Sequence, residues 1–307
     1  MNAKKVVVAG ATGSLGSKIV KALLEQGAEV TAIVRATSNR GNLEKLGLRN
    51  FVTGDMMNRD SLKEALSPGH GFDALVASAA GYTRHSKGDS PLTDTAGYKN
   101  LVDAAREAGI PRFVLISILE CDHATQVPHF YNKYLIEQYL LEKKQPFIAL
   151  RPGAFLDQAK DFILPQLTKG ILPVFFPQGN FGAIYTPDLA RYAALAATTL
   201  PDRELNTTVD VGWSTPANSD SLAVAFQKVL GKPVKTKAVI PPFFLNVVMP
   251  LMSKFNKGMA DLVAMVSWVK TGAYISKNTQ RQKELFGDLP TIEEAIARYC
   301  RDRNLIP

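Results

Sequence analysis

The stretch that most constrains the fold of this chain is VVVAGATGSLGSKIVKALL, near its start. Gly10, Gly13 and Gly16 follow a β-branched run and precede a helical pattern, so side chains are excluded at three points of one turn. A glycine turn between a strand and a helix is typical of the first βαβ unit of a nucleotide-binding sheet. Backbone amides and the helix dipole at such a helix N-terminus favour an anion.

The spacing assigns a different role to each glycine. Gly10 permits the tight turn, Gly13 permits close approach of a diphosphate, and Gly16 permits close packing of the helix on the strand. The spacing is G-x-x-G-x-x-G rather than G-x-G-x-x-G. The alternative interpretation is that the glycines only form a tight turn and bind no diphosphate. The candidate diphosphate contacts are Gly10, Thr12, Gly13, Ser14, Leu15 and Gly16.

Short β-branched runs alternate with helical patterns through the first half of the chain. This order predicts parallel strands joined by crossover helices, with helices on both faces of the sheet. The predicted fold class is therefore α/β, a Rossmann-type doubly wound parallel sheet with a smaller C-terminal substrate lobe. The predicted strands are KVVVAG, EVTAIVR, NFVTGDM, DALVASAA, RFVLISI and FIALRPG.

The pattern changes after Pro152, where proline, glycine and phenylalanine become frequent. We expect residues 1–152 to form the dinucleotide-binding domain and residues 153–307 to form the substrate lobe. The helical pattern DLARYAALAATTL and the strand pattern NTTVDVGW indicate that about residues 188–214 return to the first sheet. The C-terminal pattern TIEEAIARYCRDRNLI predicts an amphipathic helix that begins with a capping box.

The end of the second strand indicates which dinucleotide binds. An acid there takes the ribose hydroxyls of NAD, whereas an arginine accommodates the 2′-phosphate of NADP. The strand ends AIVRATSNR, with Arg35 and Arg40 and no acid. This pattern favours NADP(H) over NAD(H). The alternative is that Arg35 is a solvated arginine at the end of a strand and contacts no cofactor.

These motifs together resemble the atypical short-chain dehydrogenase/reductases, in the NmrA-like and isoflavone-reductase-like branches. The likeness rests on VVVAGATGSLGSKIV, the arginine after the second strand, GDM, SAAG, AGYKNLVDAAREAGIPRFVLIS and RPGAF, and it thins beyond Phe155. The resemblance implies a Rossmann fold that binds NADP(H) and a variable C-terminal lobe that selects the substrate. It also implies that Asp55 lies near the adenine and that Ala79, Ala80 and Gly81 lie beside the cofactor.

Reductases of this superfamily usually carry Tyr-x-x-x-Lys, in which the lysine holds the nicotinamide ribose and lowers the pKa of the tyrosine. Here Lys133 fits the lysine, but the position four residues earlier is His129. Both side chains share a helix face if the helix begins at Pro128. The alternatives are an exposed Lys133 paired with Glu137 and a solvated His129.

Two hydroxyl groups are further catalytic candidates. Ser117 ends the fifth strand, where the family often keeps a hydroxyl near the substrate, and a turn-capping role is the alternative. Tyr82 follows the fourth strand and is a weaker candidate for a proton donor. The catalytic prediction therefore comprises Lys133, which also contacts the cofactor, together with His129 and Ser117.

These residues support two functions. The first is an NADPH-dependent oxidoreductase that reduces a carbonyl, quinone or activated double bond of a small apolar or aromatic substrate. The second is a non-catalytic NADP(H)-binding redox sensor of the NmrA-like type, which the missing tyrosine favours. A sugar-nucleotide epimerase ordinarily needs that tyrosine and tightly held NAD, and the sequence argues against both. The sequence leaves open whether the protein forms a homodimer.

Composition excludes several other classes. The formal net charge is +8, but the basic residues are scattered and form no aromatic-interleaved stripe, so no nucleic-acid partner is expected. Four histidines and two cysteines show no metal-ligand spacing, and no metal site is predicted. The first strand pattern directly follows MNAKK, which leaves no room for a signal segment, and we expect a cytoplasmic protein.

The most apolar tract is AVIPPFFLNVVMPLM, residues 238–252. It is shorter than the ~20 residues of a spanning helix and contains three prolines, so no transmembrane segment is expected. We interpret it as the lining of a pocket or of an interface between lobes. Peripheral contact with a membrane is the alternative.

Overall fold

The computed structural model describes residues 3–81, 91–157, 163–174, 179–241, 243–255 and 257–307, apart from the side chains of residues 91, 246, 257 and 258. The chain divides into two compact units. The first comprises Met1–Ile118, Asn132–Arg151 and Thr186–Val209, and the second comprises Leu119–Tyr131, Pro152–Tyr185 and Asp210–Pro307. The cofactor and substrate roles predicted for residues 1–152 and 153–307 stay predictions.

The strands appear where β-branched and aliphatic residues run together between turn residues. They are β1 (Lys5–Ala9), β2 (Glu29–Val34), β3 (Asn50–Thr53), β4 (Ala74–Ala77), β5 (Phe113–Ile116), β6 (Phe147–Pro152), β7 (Ala154–Phe155), β8 (Ile171–Val174), β9 (Ala183–Ile184), β10 (Thr207–Val211) and β11 (Lys235–Ala238). A seven-stranded sheet has the order β10-β6-β5-β4-β1-β2-β3. Its strands β1 to β6 pair in parallel.

All six predicted strands are present as β1 to β6, and the Rossmann-like α/β fold class is confirmed. Two smaller sheets belong to the second unit and pair β11 with β8 and β7 with β9. Strand order in the large sheet reverses between β1 and β4, which both lie in the first unit. In open α/β sheets the ligand crevice lies at such a reversal, beyond the carboxyl ends of the strands.

The described residues include twelve α-helices, among them those predicted at DLARYAALAATTL and TIEEAIARYCRDRNLI. They are α1 (Ser14–Glu25), α2 (Gly41–Lys45), α3 (Arg59–Ala65), α4 (Ala96–Glu107), α5 (Pro128–Glu142), α6 (Leu164–Leu167), α7 (Thr186–Thr198), α8 (Ser219–Leu230), α9 (Met249–Ser253), α10 (Lys257–Lys270), α11 (Thr279–Phe286) and α12 (Ile292–Asp302). A π-helical turn, Phe244–Val248, precedes α9. Helix α5 begins at Pro128, the start that a shared face for His129 and Lys133 requires, and Thr291 and Glu294 form the predicted capping box of α12.

The core of the first unit holds the sheet edge in place. Val7 of β1, Leu75 of β4 and Phe113 of β5 are fully buried and pack with Tyr98 and Leu101 of α4. Burial of each such side chain contributes about 1.5–3 kcal/mol relative to exposure. The ends of β1, β4 and β5, where the candidate site begins, are therefore anchored on a rigid base.

The described residues can be searched for membrane-spanning helices, for metal-ion clusters and for a disulfide. Among the described helices, none combines the length and the apolarity that crossing a membrane requires. Within the described part of the chain, no cluster of three or more His, Cys, Asp and Glu side chains could hold a metal ion. Cys121 and Cys300 are both buried and do not form a disulfide.

Candidate functional site

Parallel register brings the ends of three neighbouring strands to one edge of the sheet. Ala9 of β1 lies level with Ala77 of β4 and Ile33 of β2. The glycine turn after β1 therefore lies between the residues that follow β2 and those that follow β4. This edge contains the candidate cofactor residues of the first unit.

Gly10 and Gly16 make the turn compact. Gly10 has a φ of 82°, and a Cβ atom there would lie 2.6 Å from the backbone nitrogen of Ala79. A Cβ atom on Gly16 would overlap the carbonyl oxygen of Gly10. These contacts match the tight turn and the close helix packing that the spacing predicts.

Gly13 lies where an anion can approach α1. It is the N-cap residue, it makes no side-chain cap, and the first turn of the helix contains no acid. The first amides of a helix have no partner within it. Thr12, Gly13 and Ser14 are exposed and Leu15 is half-buried, so the residues present fit a diphosphate.

Arg35 and Arg40 follow β2 and are both half-buried. The backbone amide of Arg35 donates to Ser38 Oγ at 3.1 Å, and the Arg40 guanidinium lies 5.2 Å from the centre of the Phe51 ring. Stacking on a ring leaves the planar guanidinium edge able to donate to a phosphate. Both arginines remain candidates for a 2′-phosphate.

Asp55 stabilises the turn after β3. Its Oδ1 accepts the backbone N–H of Met57 at 2.9 Å, and its own amide donates to Ser61 Oγ at 2.9 Å. The carboxylate is half-buried. The placement of Asp55 near an adenine stays a prediction of the family resemblance.

Lys133 is the most constrained charged group of the candidate site. Its side chain is only 7% exposed, and Nζ lies 3.1 Å from Asp94 Oδ1, 3.4 Å from the Ala79 carbonyl oxygen and 3.9 Å from the centre of the Tyr98 ring. The alternative prediction, an exposed Lys133 paired with Glu137, is therefore wrong. Lys133 instead lies beside the backbone that follows β4.

Asp94 and Tyr98 shape the same segment. Asp94 Oδ2 accepts the Gly81 N–H at 2.8 Å, and the Tyr98 hydroxyl donates to the Ala79 carbonyl at 2.7 Å. Ala79 is half-buried and Ala80 is exposed. The backbone of residues 79–81 is thereby fixed beside the glycine turn, where the resemblance places a cofactor.

The electrostatics keep Lys133 charged. Burial favours the neutral amine, but the Tyr98 hydroxyl and the Asp94 carboxylate outweigh it and raise the pKa of Lys133 above its usual value. Burial also raises the pKa of Tyr98, although Lys133 opposes this shift. Near neutral pH the pair is an ammonium ion beside a neutral phenol, so Lys133 can donate hydrogen bonds but cannot accept a proton.

Ser117 belongs to a buried polar network. Its hydroxyl donates to Glu137 Oε1 at 2.6 Å, and the Arg151 guanidinium contacts both oxygens of Glu137, at 3.0 and 2.5 Å. All three side chains are buried. This geometry favours a structural role for Ser117, and its catalytic role stays a prediction.

His129 lies in the second unit. Its Nδ1 is 2.8 Å from Asp261 Oδ2, and each of the two side chains is 12% exposed. A carboxylate on one ring nitrogen orients an imidazole and selects its tautomer. The boundary between the units falls between Tyr131 and Asn132, so His129 and Lys133 are assigned to different units although both lie on α5.

Sequence reasoning missed Asp94, Tyr98, Arg151 and Asp261. Tyr98 lies within the quoted family motif AGYKNLVDAAREAGIPRFVLIS, so that motif was a signal for it. Arg151 likewise lies within the quoted family motif RPGAF, whereas Asp94 and Asp261 have no local pattern, because their partners are distant in sequence. Tyr82 lies outside the residues that the structure describes.

Known proteins resemble this chain over most of its length. The model of the NmrA-like family matches residues 2–296 of this chain. Photosystem II assembly factor Ycf39 of Cyanophora paradoxa is 24% identical over 301 residues, which cover 97% of this chain and 91% of the relative.

Two solved structures illustrate the likeness of fold. An NADPH-dependent quinone oxidoreductase of Escherichia coli, complexed with NADPH, has a TM-score of 0.73 at 18% identity, covering 96% of this chain and 99% of the other. Triphenylmethane reductase of Citrobacter sp., complexed with NADP(H), has a TM-score of 0.73 at 21% identity, covering 95% and 99%. At these identities the likeness shows a shared Rossmann-like fold.

Proposed function

The chain belongs to the NmrA-like family, and on that basis we propose that it binds NADP(H) and acts as an NADPH-dependent reductase. The proposed substrate is a small apolar or aromatic molecule with a carbonyl, quinone or activated double bond. The observation that carries the proposal is Lys133, a buried cation held at the Ala79 carbonyl, beside the backbone that packs on Gly10.

The cofactor assignment is supported from three sides. The glycine turn leaves the α1 N-terminus without a side-chain cap or an acid, which suits a diphosphate. Arg35 and Arg40 follow β2, where a 2′-phosphate is bound in this fold. The similar quinone oxidoreductase and triphenylmethane reductase were each solved with NADPH or NADP(H).

The residues of the chain would hold and orient the cofactor. A bound nicotinamide supplies the hydride. Lys133 would donate hydrogen bonds to the ribose hydroxyls from a position that Asp94 and Tyr98 fix. His129, oriented by Asp261, is the proposed proton donor, while the hydrogen bond of Ser117 to Glu137 favours a supporting role for that hydroxyl.

The proposal is tested in two stages. The purified protein is titrated with NADPH, NADP+, NADH and NAD+, and tight binding confined to the phosphorylated pair is expected. Quinones, enones and aldehydes are then screened for NADPH oxidation. Lys133→Ala should abolish turnover, whereas Lys99→Ala, at an exposed lysine on α4, should not. Full activity of Lys133→Ala would refute the role of Lys133.

A non-catalytic NADP(H)-binding sensor is the second candidate. It is favoured by His129 standing where reductases of this superfamily usually carry tyrosine, and by a relative named as an assembly factor. A ligand shifts a conformational equilibrium only through unequal affinity for the two states. A sensor therefore predicts different affinities for NADPH and NADP+ without turnover, and equal affinities would count against it.

A further inference from the structure

Residues 243–255 form an apolar strip on the surface of the second unit. Within the described residues twelve large apolar side chains are exposed, and six of them lie here. Phe243, Leu251 and Phe255 are 70%, 60% and 88% exposed, and the others are Phe244, Val247 and Met252. A cluster of exposed apolar side chains of this kind marks a surface that binds a protein, a membrane or a ligand.

The strip is anchored from beneath. It runs through the π-helical turn and α9, and Leu245 and Met249 are buried against Val266 of α10. Both the inner and the outer side of this short helical stretch are thus apolar, whereas a helix that faces water has a polar outer side. The buried side chains Leu245 and Met249 belong to a small core. The exposed apolar side chains of the strip are not needed for that core and are suited to contact with an apolar medium outside the protein.

The chain around the strip is basic. Residues 231–260 contain no acidic residue and five lysines, which are Lys232, Lys235, Lys237, Lys254 and Lys257. Lys235 and Lys237 are exposed on β11 before the strip, and Lys254 is exposed within it. Apolar side chains bordered by lysines complement a bilayer surface, where hydrocarbon lies beneath anionic head groups.

We infer that residues 243–255 attach this protein to the surface of an anionic lipid bilayer. Phe243, Leu251 and Phe255 would enter the upper acyl region, and Lys235, Lys237 and Lys254 would contact lipid phosphates. The strip is shorter than the ~20 residues of a spanning helix, so it would lie in the interface.

Charge argues against a second copy of the chain as the occupant of the strip. A two-fold symmetric interface places the same patch on both partners. The strip would then bring lysines towards lysines, with no acid between residues 231 and 260 to pair with them. An anionic lipid surface carries the opposite charge.

Vesicle sedimentation tests the inference with the whole 307-residue chain. The wild-type chain should sediment with phosphatidylcholine vesicles that contain phosphatidylglycerol, and less with pure phosphatidylcholine or at high salt. The double variant F243S/F255S should lose about tenfold or more in lipid affinity for each phenylalanine. Lys254→Glu, which removes one positive charge and adds one negative charge, should weaken binding by more than about fivefold.

Two control variants separate the strip from the rest of the surface. Val224→Ser removes an exposed apolar side chain from α8, and Lys45→Glu reverses an exposed lysine on α2. Both should bind vesicles as the wild type does. Circular dichroism and thermal unfolding establish that each variant is folded.

Three results would overturn the inference. The first is failure of the wild type to sediment with anionic vesicles, and the second is binding of folded F243S/F255S with the affinity of the wild type. The third is a wild-type dimer, detected by light scattering, that F243S/F255S does not form, when neither protein binds vesicles. The last result would assign the strip to a second copy of the chain.

Discussion

The ammonium of Lys133 and the carboxylate of Asp94 form a buried ion pair at 3.1 Å, with 7% and 6% of the two side chains exposed. Asp94 also accepts the amide of Gly81, so one carboxylate fixes both the lysine and the backbone after β4. A buried pair of this kind contributes little net stability but strongly penalises the loss of either partner.

A double-mutant cycle should detect this coupling. Lys133→Met and Asp94→Asn should each lower the free energy of unfolding by about 3 kcal/mol, because each leaves one buried charge unpaired. The double variant should lose at least about 1 kcal/mol less than the sum of the two. Urea unfolding measures all four proteins, and strictly additive losses would show that the pair is not coupled.

Gly16→Ala should destabilise the protein although alanine is the better helix former. In an open helix the change would be worth about 1 kcal/mol in favour of alanine. Here the added Cβ overlaps the Gly10 carbonyl, so a net loss of about 1–3 kcal/mol and weaker NADPH binding are expected.

Gly97→Ala in α4 is the matched helical control for Gly16→Ala. A Cβ there would approach no atom more closely than Met56 Cβ at 3.3 Å, a contact that a shift of a few tenths of an ångström relieves. Thermal unfolding of both variants separates the two cases. Equal stability of the two would show that the turn tolerates a side chain.

Arg35→Ala should weaken NADPH binding by about tenfold or more and leave NADH binding little changed, because a charge-assisted contact to the 2′-phosphate is lost. Arg35→Lys should restore only part of the affinity, since an ammonium cannot reproduce the guanidinium fork. Arg49→Ala, at an exposed arginine of the same unit, is the control. Isothermal titration reads both affinities, and a parallel loss for NADH would assign Arg35 to another part of the cofactor.

Stability should fall as the pH rises above about 9. Burial raises the pKa of the Cys300 thiol from 9.0 to about 11. The folded state therefore keeps a proton that the unfolded state releases, so this contribution is complete below pH 9 and is lost as the pH rises through 11. The raised pKa values of Lys133 and Tyr98 act in the same direction.

Cys300→Ala isolates the thiol contribution to this pH dependence. The variant should show a shallower decline of the urea midpoint between pH 9 and pH 11. The slope is compared rather than the absolute stability, because removing a buried sulfur also leaves a small cavity. An unchanged slope would mean that Cys300 ionises equally in both states.

Local sequence determined most of the first unit. The strands β1 to β6 are apolar runs bounded by turn residues, and Gly10 is required by a backbone conformation within its own turn. Lys133 was found by its match to the lysine of the Tyr-x-x-x-Lys motif that the family resemblance supplies. Such features depend on neighbours in the chain, so a pattern can reveal them.

The partners of these residues were not predictable in the same way. Asp94 meets Lys133 because the chain places the turn before α4 beside α5, and no period in the sequence encodes that contact. Likewise, residues 238–252 were interpreted chiefly as a pocket or lobe interface. In the structure, several apolar side chains of this tract are exposed, whereas Leu245 and Met249 are buried in the small core and Ile240 packs against it.

The interleaving of the two units has a consequence for synthesis of the protein. The first unit takes its last segment from Thr186–Val209, and β10 borders the large sheet next to β6. A nascent chain therefore cannot complete that sheet until residue 211, about two thirds of the way along, has left the ribosome. Until then the edge of β6 stays unpaired, so aggregation should depend on how quickly translation passes this point.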